Sequence, residues 1–433
     1  MSAPPRSMVR LAATSLIGAS IEWFDFYLYG IAASLVFPTL FFPKGMPAVI
    51  SVLASLSTYA VGFLARPFGA VVFGYVGDRL GRKAALAGAL VVMGTATALI
   101  GLLPGYAVIG VAAPALLVLL RCVQGLAIGG QWGGAMLLVV ESAPPAQRGF
   151  YGSFAQVGAP AGVVLANLAF LIVDHLTDHD AFIAWGWRVP FVLSAGLVGL
   201  AWYIHKRIEE TAAFKAAARA FGAAPRPSPI WDALSNHTRL VLLAAGAFLA
   251  VQVSFYVAIQ FVVLWGSNPD FGLGIAKSTL LTAVMCSSAV MAPSLLVAGR
   301  LSDRYGRRRV YLWGAVLTAA WAFAMFPLIE TRQPFLIFLG VAMSVLTNGL
   351  MYAPQAALFG ELFPTQVRYS GASLGYQLGA AFGGGFAPLV AMWILEATHS
   401  TLGVSLYMAG ACLVTIACVF AIGTQREMVG GTL

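Results

Sequence analysis

A short turn of acidic, basic and glycine residues occurs twice in this chain, at corresponding positions of two apolar halves. The segment Gly74–Lys83 reads GYVGDRLGRK, and the segment Gly299–Arg308 reads GRLSDRYGRR. A second pair of segments repeats in the same order, with ESAPPAQR after Val140 and ELFPTQVR after Gly360. Each copy ends one hydrophobic stretch and precedes another. The repeat predicts a duplicated membrane protein in which two similar halves move about a site between them.

The composition indicates a lipid environment. The chain of 433 residues is 60% hydrophobic and only 9% charged. A water-soluble protein of this size cannot hide so much apolar surface, so we expect the bilayer to surround it. The net charge of +9 does not indicate a nucleic-acid partner, because most of the 25 Lys and Arg residues fall in the connections on one side. The positive-inside rule assigns that side, and both termini, to the cytoplasm.

Apolar runs separated by charged turns predict an all-α integral membrane protein with twelve transmembrane helices arranged as two six-helix bundles. We expect the first bundle at residues 1–206 and the second at residues 239–433, joined by a cytoplasmic linker at residues 207–238. The predicted spans are approximately 11–38, 48–76, 84–104, 108–140, 149–174, 185–206, 239–265, 276–301, 309–330, 334–360, 369–396 and 401–423.

Several motifs resemble those of the major facilitator superfamily and, within it, of the metabolite:proton symporter family. The duplicated turn matches the superfamily's loop signature, and the narrower resemblance rests on five segments. These are EWFDFYLYG at Glu22–Gly30, RPFG at Arg66–Gly69, Arg121–Gly134, Glu141–Pro144 and WGWRVPF at Trp185–Phe191. One position departs from the family, which commonly has Glu where this chain has Gln131. An amide does not titrate, so a proton role at that position is not implied here.

The resemblance implies a secondary transporter, not an enzyme, that imports a small organic acid with protons by alternating access. The family includes carriers of shikimate, α-ketoglutarate, citrate, proline or betaine, and aromatic acids. Two alternatives share the fold, namely a symporter of zwitterions and a proton-independent exporter or exchanger. A membrane sensor is a remote alternative. The expected partners are a carboxylate substrate, protons and the lipid of a bacterial inner membrane, and we expect a functional monomer without a cofactor.

Four charged residues lie inside predicted spans, namely Glu22, Asp25, Arg66 and Arg121. Charges in the hydrocarbon region are costly, so they tend to be functional or paired. With a helical rise of ~1.5 Å per residue, Asp25, Arg66 and Gln131 lie roughly 15–22 Å from the cytoplasmic end, whereas Arg121 lies at ~30 Å. Asp25, Arg66 and Gln131 are therefore expected to meet near the midplane, where such carriers bind substrate.

Each charged residue has a functional and a structural interpretation. Asp25 is our candidate for the proton-carrying group, and Glu22, three positions earlier on nearly the same helical face, is a second candidate or a coupled partner. Arg66 is the candidate for binding a substrate anion, because its planar fork matches a carboxylate. The structural alternative is a fixed ion pair between Asp25 and Arg66. For Arg121 a structural role and a substrate-binding role stay equally open.

Neutral polar residues complete the candidate substrate site. In the second half, Gln252, Tyr256 and Gln260 recur every four residues, so one face of this span is polar. Such a face lines a cavity or forms hydrogen bonds between helices. The other neutral candidates for substrate binding are Gln156, Tyr352 and Gln377, in addition to Gln131.

The repeated turns are candidates for a cytoplasmic gate. Asp78 and Asp303 end apolar runs, where a carboxylate can cap a helix or pair with an arginine of the other half. We expect Glu141 to join a network with Arg148, and Glu361 to join one with Arg368. The remaining gate candidates are Arg79, Arg82, Arg304 and Arg307. The sequence contains neither metal-ligand spacing nor a phosphate-binding GxxxxGK[ST] loop, which argues against metal chemistry and ATP as energy source.

Overall fold

The computed structural model describes residues 5–79, 82–129, 136, 139–140, 142–196, 199, 235–363 and 368–428. The predicted linker at 207–238 and the later parts of the fourth and sixth predicted spans lie largely outside these residues. The principal helices are α1 (Pro5–Leu35), α2 (Ala48–Arg79), α3 (Arg82–Leu102), α4 (Ala112–Gly129), α5 (Arg148–Leu176), α6 (Phe182–Leu193), α7 (Thr238–Ser267), α8 (Lys277–Tyr305), α9 (Arg307–Glu330), α10 (Pro334–Leu362), α11 (Arg368–Ala380, Ala381–Gly385 and Ala387–Thr398) and α12 (Thr401–Met428).

The helices follow the apolar runs of the sequence. Within the described residues, nine helices are long and apolar enough to cross a membrane, namely α2, α4, α5 and α7 to α12. Large apolar side chains such as Phe68, Leu119 and Trp393 are exposed on the outer surface, as expected for a surface that faces lipid. The all-helical membrane fold predicted from the sequence is confirmed.

The helices pack against one another within each half of the chain, and further helix contacts join the two halves. Within the first half, α1 packs on α5, α2 packs on α4, and α3 packs on α4 and α6; within the second, α7 packs on α11 and α12, and α9 packs on α10 and α12. Between the halves, α5 packs against α8 and α10, and α2 packs against α11. The α5–α8 and α2–α11 contacts correspond to each other when the two halves are exchanged. The duplication in the sequence therefore appears as a twofold relation in the packing.

Glycines allow α2 and α4 to approach closely. A Cβ atom at Gly125 would overlap the carbonyl oxygen of Gly62, and a Cβ atom at Gly129 would overlap the carbonyl oxygen of Arg66. A Cβ atom at Gly62 would also overlap the Arg121 side chain. Small residues at such positions are typical of packed transmembrane helices. Here Gly62 makes room for the Arg121 side chain.

Short π-helical segments interrupt α7 at Val257–Phe261 and α11 at Ala381–Gly385. Such segments often occur at functional sites. Gly384 and Gly385 of the α11 segment lie directly against the ring of Phe63 on α2. The interruption of α11 therefore lies where the two halves meet.

Candidate functional site

The carboxyl group of Asp25 is held by neutral donors inside the first half. Asp25 on α1 is fully buried. Thr97 Oγ1 of α3 donates a hydrogen bond to Asp25 Oδ2 at 2.8 Å, and Ser194 Oγ, at the end of α6, donates to Asp25 Oδ1. Among the described residues, Asp25 forms no ion pair. Its side chain therefore has hydroxyl partners that suit an ionised carboxylate and a protonated one alike.

A chain of hydrogen bonds connects Asp25 to Arg121. Gln124 Nε2 of α4 donates to Thr97 Oγ1 at 2.7 Å, and Arg121 Nη1 donates to Gln124 Oε1 at 2.5 Å. We refer to Asp25, Thr97, Ser194, Gln124 and Arg121 as the Asp25 network. It links the buried acid to a buried base without direct contact between them.

Aromatic rings surround the guanidinium of Arg121. Its central carbon lies 4.1 Å from the ring centre of Tyr29, 4.6 Å from that of Phe26 and 4.9 Å from that of Tyr59. Cation–π attraction of this kind stabilises a charge that has been removed from water. Arg121 is thus both part of a hydrogen-bond chain and packed in a cage of rings.

Arg66 and Glu22 lie together in a cavity between the two halves, which we call the interface cavity. Its lining comes from α1, α2, α4 and α11 and comprises Glu22, Trp23, Phe26, Arg66, Ile128, Tyr376 and Gln377. Because α11 belongs to the second half, movement of the halves changes this cavity directly.

The guanidinium of Arg66 has unused hydrogen-bonding capacity. Its central carbon lies 4.3 Å from the ring centre of Phe26 and 4.1 Å from that of Phe63, and the residue is only 1% exposed. Within the described part of the chain, Arg66 Nε and Nη2 have no hydrogen-bond partner. Buried donors are nearly always paired in folded proteins. A fork of free N–H groups in a cavity is the arrangement that accepts a carboxylate.

A second cavity, which we call the aromatic cavity, shares Trp23 with the lining of the interface cavity. Its lining comes from α1, α5, α7 and α10 and comprises Trp23, Tyr27, Ala159, Val251, Gln252, Phe255, Asn348 and Tyr352. Two of the predicted substrate-binding residues, Gln252 and Tyr352, are among them.

Other predicted polar residues connect the halves across the interface. Gln156 Nε2 donates to the carbonyl oxygen of Tyr352 at 3.0 Å, and Gln377 Nε2 donates to that of Gly129 at 3.2 Å. Gln260 Nε2 donates to the carbonyl oxygen of Gly30 at 3.3 Å. The polar face predicted on α7 therefore takes part in both arrangements, since Gln252 lines a cavity and Gln260 forms a hydrogen bond between helices.

Tyr256 lies next to the aromatic rings that enclose Arg66. Its ring centre lies 5.5 Å from that of Phe63 and 6.2 Å from that of Phe26, the two rings that enclose Arg66. Tyr256 thus belongs to the aromatic wall between the halves.

The expected meeting of Asp25 and Arg66 does not occur. Arg66 lies beside Glu22 in the interface cavity, whereas Asp25 belongs to the network that contains Arg121. The position of each residue along its helix axis predicts similar depths in the membrane for Asp25 and Arg66. It does not predict the side of the helix on which each side chain lies. Gln131, the third residue expected at this point, lies outside the described residues. The fixed Asp25–Arg66 ion pair, the structural alternative, is therefore wrong.

The end of the molecule predicted to be cytoplasmic is closed by contacts between α5 and α8. Asp303 Oδ1 and Oδ2 accept hydrogen bonds from the backbone N–H groups of Gly149 and Phe150, each at 2.8 Å. These N–H groups belong to the first turn of α5, where a carboxylate is favoured by the free donors and by the helix dipole. Asp303 of the second half therefore caps a helix of the first half.

Ion pairs surround this capped helix. Arg307 Nη2 lies 3.1 Å from Glu361 Oε1 and 3.7 Å from Asp303 Oδ1, and Arg148 Nη1 lies 3.8 Å from Glu361 Oε1. Glu361 thus contacts Arg148 of the other half, while its expected pairing with Arg368 stays a prediction. Arg304 is exposed, with its guanidinium 5.3 Å from the ring centre of Tyr305. The side chains of the other five gate candidates lie outside the described part: Asp78, Arg79, Arg82, Glu141 and Arg368.

Three residues of the Asp25 network were not among the residues predicted to form the site. Gln124 lies one turn after Arg121, so the Arg-x-x-Gln spacing was a usable signal for a paired amide. Thr97 and Ser194 are ordinary hydroxyl residues in apolar segments, and neither has a local pattern that distinguishes it from other buried hydroxyls. Their role becomes visible only when α3 and α6 are placed beside α1.

The fold and the site together define a membrane transport protein made of two related helical halves. Its buried charges lie at the interface between the halves and within the first half. Two family models match the chain, "Sugar (and other) transporter" at residues 11–224 and "Major Facilitator Superfamily" at residues 253–430. The chain belongs to the major facilitator superfamily and is similar throughout its length to metabolite transporters of that superfamily.

Two curated relatives and one solved structure illustrate the similarity. An inner membrane metabolite transport protein of Escherichia coli is 41% identical over 98% of this chain and 96% of the relative. The shikimate transporter of Escherichia coli is 37% identical over 94% of this chain and 92% of the relative. The xylose transporter of E. coli, in a partially occluded inward open conformation, superposes with a TM-score of 0.73 at 17% identity, covering 98% of this chain and 99% of that one. At this identity the superposition shows the fold alone.

Proposed function

We propose that this transporter imports a small organic acid together with protons by alternating access. In this proposal Arg66 binds the substrate carboxylate and Asp25 carries the proton. The observation that carries the proposal is a buried guanidinium with free donors in a cavity between the halves, next to a network that holds a buried acid without an ion pair. Glu22, which lines the same cavity as Arg66, remains a second titrating candidate.

Charge balance supports coupling between the two sites. The charged set within the first-half helices contains two acids, Glu22 and Asp25, and two bases, Arg66 and Arg121, so its formal charge is zero when all four are ionised. An anionic substrate adds a negative charge to a region of low dielectric constant, where an uncompensated charge is costly. Protonation of Asp25 removes one negative charge and so restores a net charge of zero. Substrate and proton are therefore favoured to bind together.

Phe26 brings the two sites into contact. Its ring centre lies 4.3 Å from the Arg66 guanidinium carbon and 4.6 Å from that of Arg121. The two cations repel each other across this ring, and a carboxylate on Arg66 reduces the repulsion. A change at the substrate site therefore alters the field at the Asp25 network.

Replacement of Asp25 by Asn tests the proposal. The amide keeps the size of the side chain but cannot carry a proton, so uptake into proteoliposomes driven by an inward pH gradient is expected to fall to the rate without a gradient. Counterflow, in which labelled substrate exchanges for unlabelled substrate without a gradient, is expected to persist. Gradient-driven uptake equal to that of the unmodified protein, at equal reconstitution, contradicts the proposal.

A second candidate function follows from the position of Glu22. Because Glu22 and Arg66 line one cavity, an ammonium group and a carboxylate of the same zwitterion can each find an opposite charge there. Glu22→Gln separates the two candidates. If the substrate is a zwitterion, the variant is expected to lose at least about tenfold in affinity, the loss that accompanies removal of one buried charge partner. If the substrate is a carboxylate without an ammonium group, affinity is expected to stay within about twofold or to rise, because a nearby negative charge has been removed.

The remaining features of the proposal concern orientation and gating. The α5–α8 contact around Asp303, together with Arg148, Arg307 and Glu361, forms a cytoplasmic latch that breaks when the halves rock. Both termini lie in the cytoplasm, the bilayer is a bacterial inner membrane, and one chain is sufficient for transport.

A further inference from the structure

Two glutamine side chains join the halves of the chain at equivalent positions. Gln156 Nε2 of α5 donates to the carbonyl oxygen of Tyr352 on α10 at 3.0 Å, and Gln377 Nε2 of α11 donates to that of Gly129 on α4 at 3.2 Å. When the halves are exchanged, α5 corresponds to α11 and α4 corresponds to α10. The sequence repeats this relation, because each glutamine follows the glutamate of its ESAPPAQR or ELFPTQVR segment by 15 or 16 residues. We refer to Gln156 and Gln377 as the inner glutamines.

The inner glutamines lie nearer the end of the molecule at which Asp303 caps α5, which we call the Asp303 end. Both α5 and α11 begin at this end. With a rise of ~1.5 Å per residue, Gln156 lies ~12 Å and Gln377 ~14 Å from the first residue of its helix. Gln377 lines the interface cavity, and Tyr352, whose carbonyl accepts from Gln156, lines the aromatic cavity. The two hydrogen bonds therefore border both cavities.

A third glutamine joins the halves nearer the opposite end. Gln260 Nε2 of α7 donates to the carbonyl oxygen of Gly30 on α1 at 3.3 Å. Because α7 ends at Ser267, Gln260 lies ~10 Å from the opposite end. It lines a further cavity between α1, α5 and α7, which shares Tyr27 with the lining of the aromatic cavity. Hydrogen bonds from glutamine to backbone thus join the halves at two different depths.

Each of these hydrogen bonds stabilises only the state in which its own end is closed. Gln156 and Gln377 are 1% exposed and Gln260 is 6% exposed, so water does not compete for these amides while the halves are in contact. When the halves separate at that depth, water hydrates the amide and the carbonyl, and the hydrogen bond no longer contributes. A side chain without the amide leaves a buried carbonyl unpaired in the closed state alone. Its introduction therefore favours opening of that end.

We propose that these three glutamines set the balance between the two open conformations of the transporter. The inner glutamines oppose opening of the Asp303 end, and Gln260 opposes opening of the other end, so their contributions have opposite signs. Gln156 and Gln377 then act as positioning residues, through a backbone contact with the other half. This inference rests on the proposed function, because it takes alternating access as the mechanism.

Gln377 also connects this balance to the proposed substrate site. It lines the interface cavity together with Arg66, and within the described part of the chain its Oε1 has no hydrogen-bond partner. A group that attracts or displaces this amide changes its hydrogen bond to Gly129 on the other side of the interface. Binding in the cavity and contact between the halves therefore share one side chain.

The test measures both ends of the purified full-length protein without substrate. In a cysteine-free background, spin labels at the exposed positions Ala146 and Arg309 report the Asp303 end. Labels at the exposed positions Lys44 and Asp270 report the opposite end. Double electron–electron resonance gives the distance distribution of each pair.

Methionine keeps the length of glutamine but lacks its amide. Gln156→Met and Gln377→Met are each expected to raise the ratio of long to short distances at the Asp303 end by about fivefold, the effect of losing one buried hydrogen bond. Gln260→Met is expected to raise this ratio at the opposite end instead. Gln252→Met is the control on the same helix, because Gln252 Nε2 has no partner among the described residues, and it is expected to leave both distributions unchanged.

A second set of variants tests the reach of the side chain. Gln156→Asn, Gln377→Asn and Gln260→Asn keep an amide but shorten the side chain by one methylene group, so the donor no longer reaches the opposing carbonyl. Each is expected to shift the same distribution in the same direction as its Met counterpart. These variants retain a polar group in the interface, so they also provide the measurement if a Met variant does not fold.

The outcomes separate this inference from the function on which it rests. If the glutamine variants shift neither end while Asp303→Ala opens the Asp303 end, the inference is wrong and alternating access stands. If a variant lengthens the distances at both ends, or at the end opposite to its own, the glutamine has a general packing role and the inference is again wrong. If each end keeps a single distance in every variant, including Asp303→Ala, the halves do not rock, and the proposed function fails together with the inference.

Discussion

The hydroxyl group of Thr97 lies at the centre of the Asp25 network. Thr97 Oγ1 is 2.8 Å from Asp25 Oδ2 and 2.9 Å from the carbonyl oxygen of Met93, and it accepts a hydrogen bond from Gln124. It has one proton to donate, so it cannot satisfy both acceptors at once. An ionised Asp25 attracts this proton, whereas a protonated Asp25 can itself donate and leave the Thr97 proton to Met93. The network therefore accommodates both protonation states without moving a helix.

Thr97→Val tests this arrangement at the residue scale. Valine keeps the shape of threonine but removes the donor, so the ionised form of Asp25 loses a hydrogen bond that favours it. The midpoint of the pH profile for gradient-independent binding or uptake is expected to move toward higher pH, by about one unit if one charge-assisted hydrogen bond is lost. Thr318→Val, at a buried threonine pair in the second half, is the matched control and is expected to leave the midpoint unchanged. A midpoint that stays fixed or moves toward lower pH in Thr97→Val contradicts this account.

The helices were easier to predict than the partners of their charges. The predicted spans 276–301 and 334–360 correspond to α8 and α10 within a few residues, because long apolar runs and charged turns mark where a chain crosses a bilayer. The partners of Asp25 and Arg66 could not be predicted in this way. Depth along a helix follows from residue number, but the side of the helix that meets each neighbour depends on packing. That packing is set here by glycines such as Gly125 and Gly129, whose role requires knowledge of the opposing helix.

The contact between α2 and α4 gives the prediction at the scale of elements. Gly129→Ala places a methyl group against the backbone carbonyl of Arg66, and a backbone atom cannot move aside cheaply. Overpacking of this kind is expected to destabilise the protein by about 1–3 kcal/mol. A lower melting temperature in detergent, measured by intrinsic fluorescence, checks it.

Gly410→Ala serves as the control for Gly129→Ala. Gly410 lies within α12, and a Cβ atom there meets no atom within 4 Å. Alanine is the better helix former by about 1 kcal/mol, so this variant is expected to melt at the same or a higher temperature. Equal melting temperatures for the two variants would show that the α2–α4 approach is looser than the structure indicates.

At the scale of the whole molecule, the two halves share a packing plan but differ in charge. The α5–α8 and α2–α11 contacts are equivalent by the twofold relation, whereas Glu22, Asp25, Arg66 and Arg121 all lie in the first half. The second copy of the turn, at Asp303 and Arg307, contributes to the contact between the halves, and in the proposed function the charges of the first half bind substrate and proton. Motion of the halves changes the interface cavity, whose wall includes Tyr376 and Gln377 of the second half. The Asp25 network, in contrast, lies wholly within the first half, so the proposed coupling requires a signal that crosses α1.

A single substitution at Asp303, which caps α5, is expected to shift the equilibrium between conformations of the two halves. Asp303→Ala removes both hydrogen bonds to the first turn of α5 and the contact with Arg307, while leaving the interior of each half intact. Loss of a helix cap costs about 1 kcal/mol, which corresponds to a roughly fivefold shift toward conformations in which α5 and α8 separate. Spin labels at the exposed positions Ala146 and Arg309, in a cysteine-free background, report this separation by double electron–electron resonance. The variant is expected to gain a population at longer distance.

Asp270→Ala, which removes an exposed carboxylate from the opposite end of the molecule, is the control and is expected to reproduce the distance distribution of the unmodified protein. If Asp303→Ala also reproduces that distribution, the contact of Asp303 with α5 does not hold this end closed.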